Sequence, residues 1–173
     1  DEEIPVAIVI GAHPLFAIGG GLWKGPIDVD EYGVVGGFLG EPREIVPGET
    51  ADIEAPAHAE IVLEGKVLPG VREDEGPFAE FTGYASARST RHAIEVTGIL
   101  HRKDALYQDI VPGISDEHTM LLAVPMEARL LAVLRQNFPN VTAVAMPKSG
   151  TCRMHVYIAM RNPAPGQAKN AGA

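Results

Sequence analysis

Two carboxylates five residues apart, Glu75 and Glu80, flank a Gly76-Pro77 turn and are the groups in this sequence best placed to move a proton. Gly76 leaves the backbone free to turn, and Pro77 fixes one dihedral of that turn. Beyond it the run alternates as a strand does. Phe78, Glu80, Thr82 and Tyr84 fall on one face, and Ala79, Phe81 and Gly83 on the other. A carboxyl set among Phe and Tyr is partly desolvated if that face lines a pocket or barrel. Desolvation raises a carboxyl's proton affinity, which a general acid working near neutral pH requires. The competing reading is that Glu75 and Glu80 merely solubilise an exposed hairpin.

Other candidate groups carry less. Cys152 and His155 stand three apart in an expected strand, which sends them to opposite faces and argues against a Cys–His nucleophile. The histidines (His13, His58, His92, His101, His118 and His155) show no metal-site spacing. Glu60 and Glu64 share a strand face with Val62 and read as structural or solvated carboxylates. The cluster Gly19-Gly20-Gly21-Leu22-Trp23-Lys24-Gly25 could bring backbone amides or carbonyls close to a ligand. It lacks the spacing of a dinucleotide fingerprint or a P-loop, so its first reading is a flexible loop.

The elements that must position these groups read mainly as strands. Residues 5–11 form a continuous apolar run of strand length, followed by one or two helical turns over 15–18. Residues 34–39 read as a strand loosened by Gly36 and Gly37, ahead of a Gly40-Glu41-Pro42 turn. Ile45-Val46 and Asp52-Ile53 are short strand candidates around a Pro47-Gly48 turn. Residues 59–64 alternate cleanly, 66–74 read as a polar loop, and 86–91 as another. Strands are expected again over 93–101 and 106–111. From 117 to 137 the apolar spacing turns helical, with Ser115 or Asp116 as cap and a kink expected at Pro125. Residues 141–146 and 154–160 look like two further strands, and the tail from Asn162 shows no apolar periodicity. The expected fold is α+β and mainly β: a barrel or sheet with one main helical segment.

Composition bounds the function classes. Hydrophobic residues make up 46% and the mean hydropathy is near zero, which fits a globular domain with a real core. No apolar run approaches the roughly 20 residues that span a bilayer. A net charge of −9, with no basic cluster longer than Arg102-Lys103, makes nucleic acid a poor partner. Cys152 is the single cysteine, so no intramolecular disulfide forms, which fits a reducing cytoplasm. The chain starts at Asp1 with no signal-peptide pattern and is expected to be a fragment or processed piece.

Several ordered motifs resemble the UbiD family of reversible decarboxylases. They are Glu31-Tyr32-Gly33 through Gly40-Glu41-Pro42, then Ala59-Glu60-Ile61-Val62-Leu63-Glu64-Gly65, then Glu75-Gly76-Pro77-Phe78-Ala79-Glu80 with Gly83-Tyr84, and later Asp116-Glu117-His118-Thr119-Met120. The resemblance covers most of residues 1–160 and implies the central split β-barrel portion of such an enzyme. Domain 1–161 is then that portion, and 162–173 a tail or truncated linker. It implies prenylated FMN as cofactor, held with a manganese-like divalent metal and a potassium-like monovalent cation. A flavin prenyltransferase follows as the cofactor's supplier. The substrate would be an aromatic or unsaturated carboxylic acid, and the assembly a homo-oligomer.

Residue by residue, the family's Glu–Arg–Glu network places the acid/base at Glu80, with Glu75 pairing the arginine. Glu31 matches the carboxylate that bridges metal and flavin phosphate, a hard oxygen ligand suited to such cations. Gly21 and Trp23 are placed at the cofactor within the glycine cluster. Ala79 departs from the family's glycine, which matters only if that position needs a positive φ. The family's catalytic Arg and its metal-binding Asn and His fall on a segment preceding the match to Asp1, and a C-terminal domain is expected after residue 173. Remaining N- and C-terminal parts, from the same gene or a partner subunit, are therefore expected partners.

The rival reading, from another class, is a non-catalytic flavin-binding or oligomerisation module. The two differ in what residues 1–173 need in order to turn over. The expectation is no measurable decarboxylation and weak cofactor retention when residues 1–173 are mixed alone with reconstituted prenylated flavin and a panel of cinnamate- and benzoate-type acids. Clear turnover without any added polypeptide would sink it.

Overall fold

In the computed structural model, which describes residues 2–19 and 27–172, the apolar run near the start becomes β1 (Ile4–Ile10). It pairs antiparallel with the long β4 (Ile61–Glu75), in a register running from Ile4↔Val67 to Ile10↔Ile61. β4 pairs on its other side with β5 (Ser89–His101), giving a three-stranded sheet ordered β1-β4-β5. Register shifts fall between Glu64 and Gly65 and between Val67 and Arg72. At the first, Thr97 of β5 is the extra residue of a bulge, and Gly65 is required. A Cβ on Gly65 would stand 2.2 Å from the Glu95 carbonyl oxygen. The loops expected over 66–74 and 86–91 are instead mostly strand. Their charges face one another across the hairpin, so pairing of Arg88 with Asp74 and of Arg91 with Glu75 offsets their polarity.

Between β1 and β4 lie a short helix α1 (Leu15–Ala17), a helix α2 (Glu31–Leu39), and the small antiparallel pair β2 (Ile45–Pro47) and β3 (Glu54–Pro56). The strand expected over 34–39 is thus a helix. The deciding signals are its ends. Asp30 caps it by accepting the Tyr32 N–H at 3.1 Å, and Gly40 closes it at φ 74° with its N–H on the Gly36 carbonyl. Val35, 1% exposed, buries the inner face, and that packing overrides the β-preference of Val34-Val35 and the cost of Gly36 and Gly37.

A buried carboxylate ties this unit together. Glu64, 2% exposed in mid-strand, accepts the backbone N–H groups of Glu49 (2.9 Å), Thr50 (2.6 Å) and Ala51 (3.2 Å), and the Thr50 hydroxyl at 2.9 Å. Thr50 Oγ1 in turn meets Thr97 Oγ1 at 2.8 Å, so the β5 bulge aims its threonine at the same turn. Of the two readings open for Glu64, the structural one is what the geometry shows.

The chain divides into two compact units, Asp1–Phe78 with Ser86–Ile110, and Ala79–Ala85 with Val111–Ala173. The second is built on α3 (Asp116–Asn137), capped by Ser115, whose Oγ accepts the His118 N–H. Pro125 lies inside a single helix. Thr119, Leu122 and Ala123 bury one stripe at helical spacing, and Ala123 packs with Met146 and Cys152 in a small core. β6 (Val141–Ala145) and β7 (Tyr157–Met160) form an antiparallel pair, and Arg135 from the last turn of α3 donates to the Val141 and Thr142 carbonyls. The strand expected from 154 begins only at Tyr157, because residues 150–154 are spent in turns. No strand forms over 106–111. The tail carries a short helix α4 (Gln167–Ala171), held by a reciprocal amide pair between Asn140 and Gln167.

The fold is α+β and mostly sheet, as expected. Among the described residues the strands form three open sheets and no closed barrel. No helix among them is long and apolar enough to cross a membrane.

The Glu64 cluster generates a pH prediction. The Glu49 N–H, then the Thr50 N–H and the remaining donors, hold the Glu64 carboxyl below its usual range, against the opposing effect of burial. A lowered folded-state value means the stabilisation is present above the unfolded value, about 4.3, and is lost as pH falls through the folded one. Glu64→Gln turns an amide donor toward backbone donors, so it should melt several degrees below wild type at neutral pH. The gap should narrow in acid below that range. Thermal denaturation at both pH values checks this, and a gap of equal size at each would refute it.

Candidate active site

Glu75 is the last residue of β4 and faces Ser89 in the register, two residues along from the Glu73↔Arg91 pair. That diagonal brings its Oε2 to 3.3 Å from Arg91 Nε, with both side chains at least half exposed. The carboxylate therefore has an arginine partner within the hairpin. Exposed pairs of this kind contribute up to about 1 kcal/mol, so Arg91 orients Glu75 more than it stabilises the fold. The residue was missed in the sequence because 86–91 read as loop. The signal was the complementarity of the acidic run Glu73-Asp74-Glu75 with Arg88 and Arg91 on the far side of one turn.

After β4 the chain turns through Gly76 (φ 76°) and a cis Gly76–Pro77 bond. The alternation of residues 78–84 does not become a strand. Phe78 and Ser86 close the neck, with the Phe78 N–H on Ser86 Oγ at 3.1 Å and the Ser86 N–H on the Phe78 carbonyl at 2.8 Å. Within the tip, Ala79 and Ala85 form an isolated antiparallel bridge. The Glu80 N–H donates to the Tyr84 carbonyl at 2.8 Å, and the Gly83 N–H to the Glu80 carbonyl at 2.9 Å. Gly83, at φ 85°, supplies the left-handed step that lets so short a loop close.

The expected aromatic wall beside Glu80 is accordingly corrected. In a turn, side chains two apart no longer share a face, and Phe78 and Tyr84 are 49% and 78% exposed. Glu80 itself is half-buried. Its turn packs within the second unit at the residues leading into α3. A Cβ on Gly113, itself at φ 102°, would stand 3.3 Å from Ala79 Cβ and 3.8 Å from the Glu80 carbonyl oxygen. Gly113 also donates its N–H to His118 Nδ1 at 2.9 Å, which fixes the imidazole at the head of the helix. Ala79 has an ordinary φ, since the positive values nearby belong to Gly76 and Gly83, so alanine is accommodated in the motif without strain.

Glu31 opens α2, where the partial positive charge of a helix N-terminus suits a carboxylate. It is exposed, and its oxygens have no hydrogen-bond or ion-pair partner among the described residues. The neighbouring Tyr32 fixes the helix in place by donating its hydroxyl to the Glu54 carbonyl at 3.3 Å and meeting Phe16 edge-on at 6.1 Å. Burial first, then the carboxylates of Glu54 and Asp30, push the Tyr32 phenol above its usual value, so it remains a donor. Gly21 and Trp23, expected at the cofactor, lie outside the described residues. Glu31 and Glu75 belong to the first unit and Glu80 to the second.

The decoys are occupied elsewhere. Glu60 accepts from Arg102 at 3.1 Å and from the Leu106 N–H at 3.1 Å. Cys152 is buried in the core and His155 is exposed. Among the described residues no three His, Cys, Asp or Glu side chains form a metal cluster.

Comparison with known proteins now supplies the context for these groups. Residues 1–115 match the model for the UbiD 3-octaprenyl-4-hydroxybenzoate carboxy-lyase Rift-related domain, and residues 119–173 match that for the UbiD C-terminal domain. Among solved structures, the chain is similar to the UbiD-class enzyme HmfF from Pelotomaculum thermopropionicum in complex with FMN, at 40% identity and a TM-score of 0.92 over 98% of this chain and 38% of that one. An evolved dimeric form of the same enzyme was solved with prFMN. The vanillic acid decarboxylase of Sedimentibacter hydroxybenzoicus, in open form, matches at 31% identity and a TM-score of 0.87, over 99% of this chain and 36% of that one. The 3,4-dihydroxybenzoic acid decarboxylase AroY of Klebsiella pneumoniae, in apo form, matches at 28% identity and a TM-score of 0.88, over 99% and 38%. The chain thus spans well under half the length of these relatives. With both domain models matched in order and the same fold throughout, the chain belongs to the UbiD family of carboxy-lyases.

Proposed function

We propose that this chain serves the reversible, non-oxidative decarboxylation of an aromatic or unsaturated carboxylic acid, with prenylated FMN as cofactor and Glu80 as acid. The observation that carries the reading is the Glu75–Glu80 motif itself. One carboxylate is paired with Arg91, and the other is half-buried in a closed turn, within a chain of this family. The relatives that act on vanillic and 3,4-dihydroxybenzoic acids support an aromatic acid as the substrate class.

The residues present fit the cofactor and its cation. Glu31 offers an exposed carboxylate at a helix start, without a partner among the described residues, the hard oxygen donor that a manganese-like divalent ion takes. It would contribute one ligand to the cation, and Gly21 and Trp23 are assigned to the flavin from the sequence alone. The flavin, when bound, supplies the electron sink into which the electrons of the breaking carbon–carboxylate bond pass. Glu80 then delivers its proton to the carbon that has lost carbon dioxide, and in the reverse direction takes that proton back. Glu75, oriented by Arg91, keeps a charged pair at the base of the turn. A flavin prenyltransferase would provide the cofactor. The buried free thiol of Cys152 suits a cytoplasmic setting, and the exposed apolar residues Ile94, Val96 and Ile99 of β5 suit further segments or copies in a homo-oligomer.

Two substitutions in the active holoenzyme test the assignment. Glu80→Gln keeps the shape and cannot donate the proton, so turnover and deuterium incorporation at the decarboxylated carbon should fall about 10²–10⁴-fold with flavin content intact. Glu60→Gln should stay within a few-fold of wild type. Near-normal turnover in Glu80→Gln, or an equal loss in Glu60→Gln, would show that the acid is misassigned. Glu31→Gln should lower bound manganese and flavin together, and unchanged contents of both after purification would return Glu31 to ordinary solvation.

A further inference from the structure

The turn that carries Glu80 has an anchor besides its own hydrogen bonds. The guanidinium of Arg153 lies over the ring of Phe81, the next residue, with Cζ 4.4 Å from the ring centroid. Both side chains are half-buried. Arg153 Nε is buried without a hydrogen-bond partner among the described residues, and the ring face is the contact the guanidinium makes there.

The backbone that delivers Arg153 is unusual. Thr151 and Cys152 both take positive φ, 52° and 58°, where residues with a Cβ are uncommon. The segment is fixed by the Thr151 N–H on Lys148, the Cys152 N–H on Pro147 and the Arg153 N–H on Gly150, at 2.8, 3.1 and 3.0 Å. Cys152 is also buried against Ala123 and Met146. Consecutive strained residues persist only where their surroundings determine them, and such strain gathers where a side chain must be aimed.

We propose that Arg153 is a positioning residue: its guanidinium clamps Phe81 and so holds the Glu80 turn in the conformation from which the proton is delivered. The proposal rests on the reading of Glu80 as the acid. Proton transfer needs the carboxyl within hydrogen-bond reach of the accepting atom, and a displacement of about 1 Å can cost a hundredfold in rate. A cation over an aromatic face in a half-buried site is strong enough to set that position.

The test is made in the active holoenzyme. Arg153→Met, which keeps the stem, and Phe81→Leu should each lower kcat about tenfold. KM should stay within about twofold, since the contact orients the acid and does not bind substrate. The double variant should lose no more than the worse single one, because each removes the same contact. Phe81→Tyr keeps the ring face and should keep the rate. Amide hydrogen exchange at Glu80 and Gly83, whose N–H groups bond inside the turn, should accelerate in Arg153→Met while α3 is unchanged. Unchanged exchange, losses that multiply in the double variant, or a Phe81→Tyr as slow as Phe81→Leu would overturn the clamp. So would faster exchange with unaltered kcat in an enzyme that Glu80→Gln inactivates. Near-normal turnover in Glu80→Gln would instead overturn the acid assignment, and the exchange measurement then judges the clamp without reference to activity.

Discussion

The first unit depends on a carboxylate that a strand interior would ordinarily exclude. Removing Glu64 from water would cost several kcal/mol if its charge were left bare. Three backbone N–H groups and one hydroxyl replace the lost water, and all come from residues 49–51. That turn is what joins β2 to β3 and seats them beside the sheet. The same demand reaches into β5, where the bulge directs Thr97 to Thr50 and Gly98 leaves room for the Thr50 side chain, while Gly65 of β4 lets the Glu95 carbonyl approach. One charge thus commits β4, the turn over residues 49–51 and the bulge of β5.

The site's groups are held by different kinds of interaction. Glu31 owes its place to a helix start and to the Tyr32 anchor, Glu75 to strand register and a diagonal ion pair, and Glu80 to a turn closed by its own backbone. Main-chain geometry is common to all three, so a side-chain change that leaves it undisturbed and removes none of these contacts is tolerated. Ala79 in place of glycine illustrates the point, because the positions that need a left-handed backbone are Gly76 and Gly83.

Much of this was legible in the sequence, and the failures have physical causes. Periodic segments read correctly in β5 and α3, since burial on one face leaves a period of two or 3.6, and β1 read correctly as a continuous apolar run of strand length. The run over residues 34–39 misled because β-branching was weighed above the caps at Asp30 and Gly40. The charged stretch 66–74 misled because cross-strand pairing can hold polar residues in a sheet. The motif from Glu75 to Glu80 was legible in composition and not in conformation. Its alternation of apolar and polar residues is shared by strands and by tight turns, and only the glycine at 83 separates the two. The contacts of Thr97 with Thr50 and of Arg153 with Phe81 span long stretches of chain and leave no local pattern.

The membership of residues 79–85 in the second unit has a consequence for how the protein is made. The tip of the β4–β5 hairpin packs against Gly113, Ile114 and Arg153, the last about 70 residues downstream of Phe81. At a synthesis rate of roughly 5–20 residues per second, the hairpin can therefore pair on the ribosome seconds before Arg153 is there to cover its tip. The sheet matures first and the turn that carries Glu80 last. A nascent chain of this kind has its scaffold paired before the last contact of that turn exists, and the emergence of Arg153 supplies it.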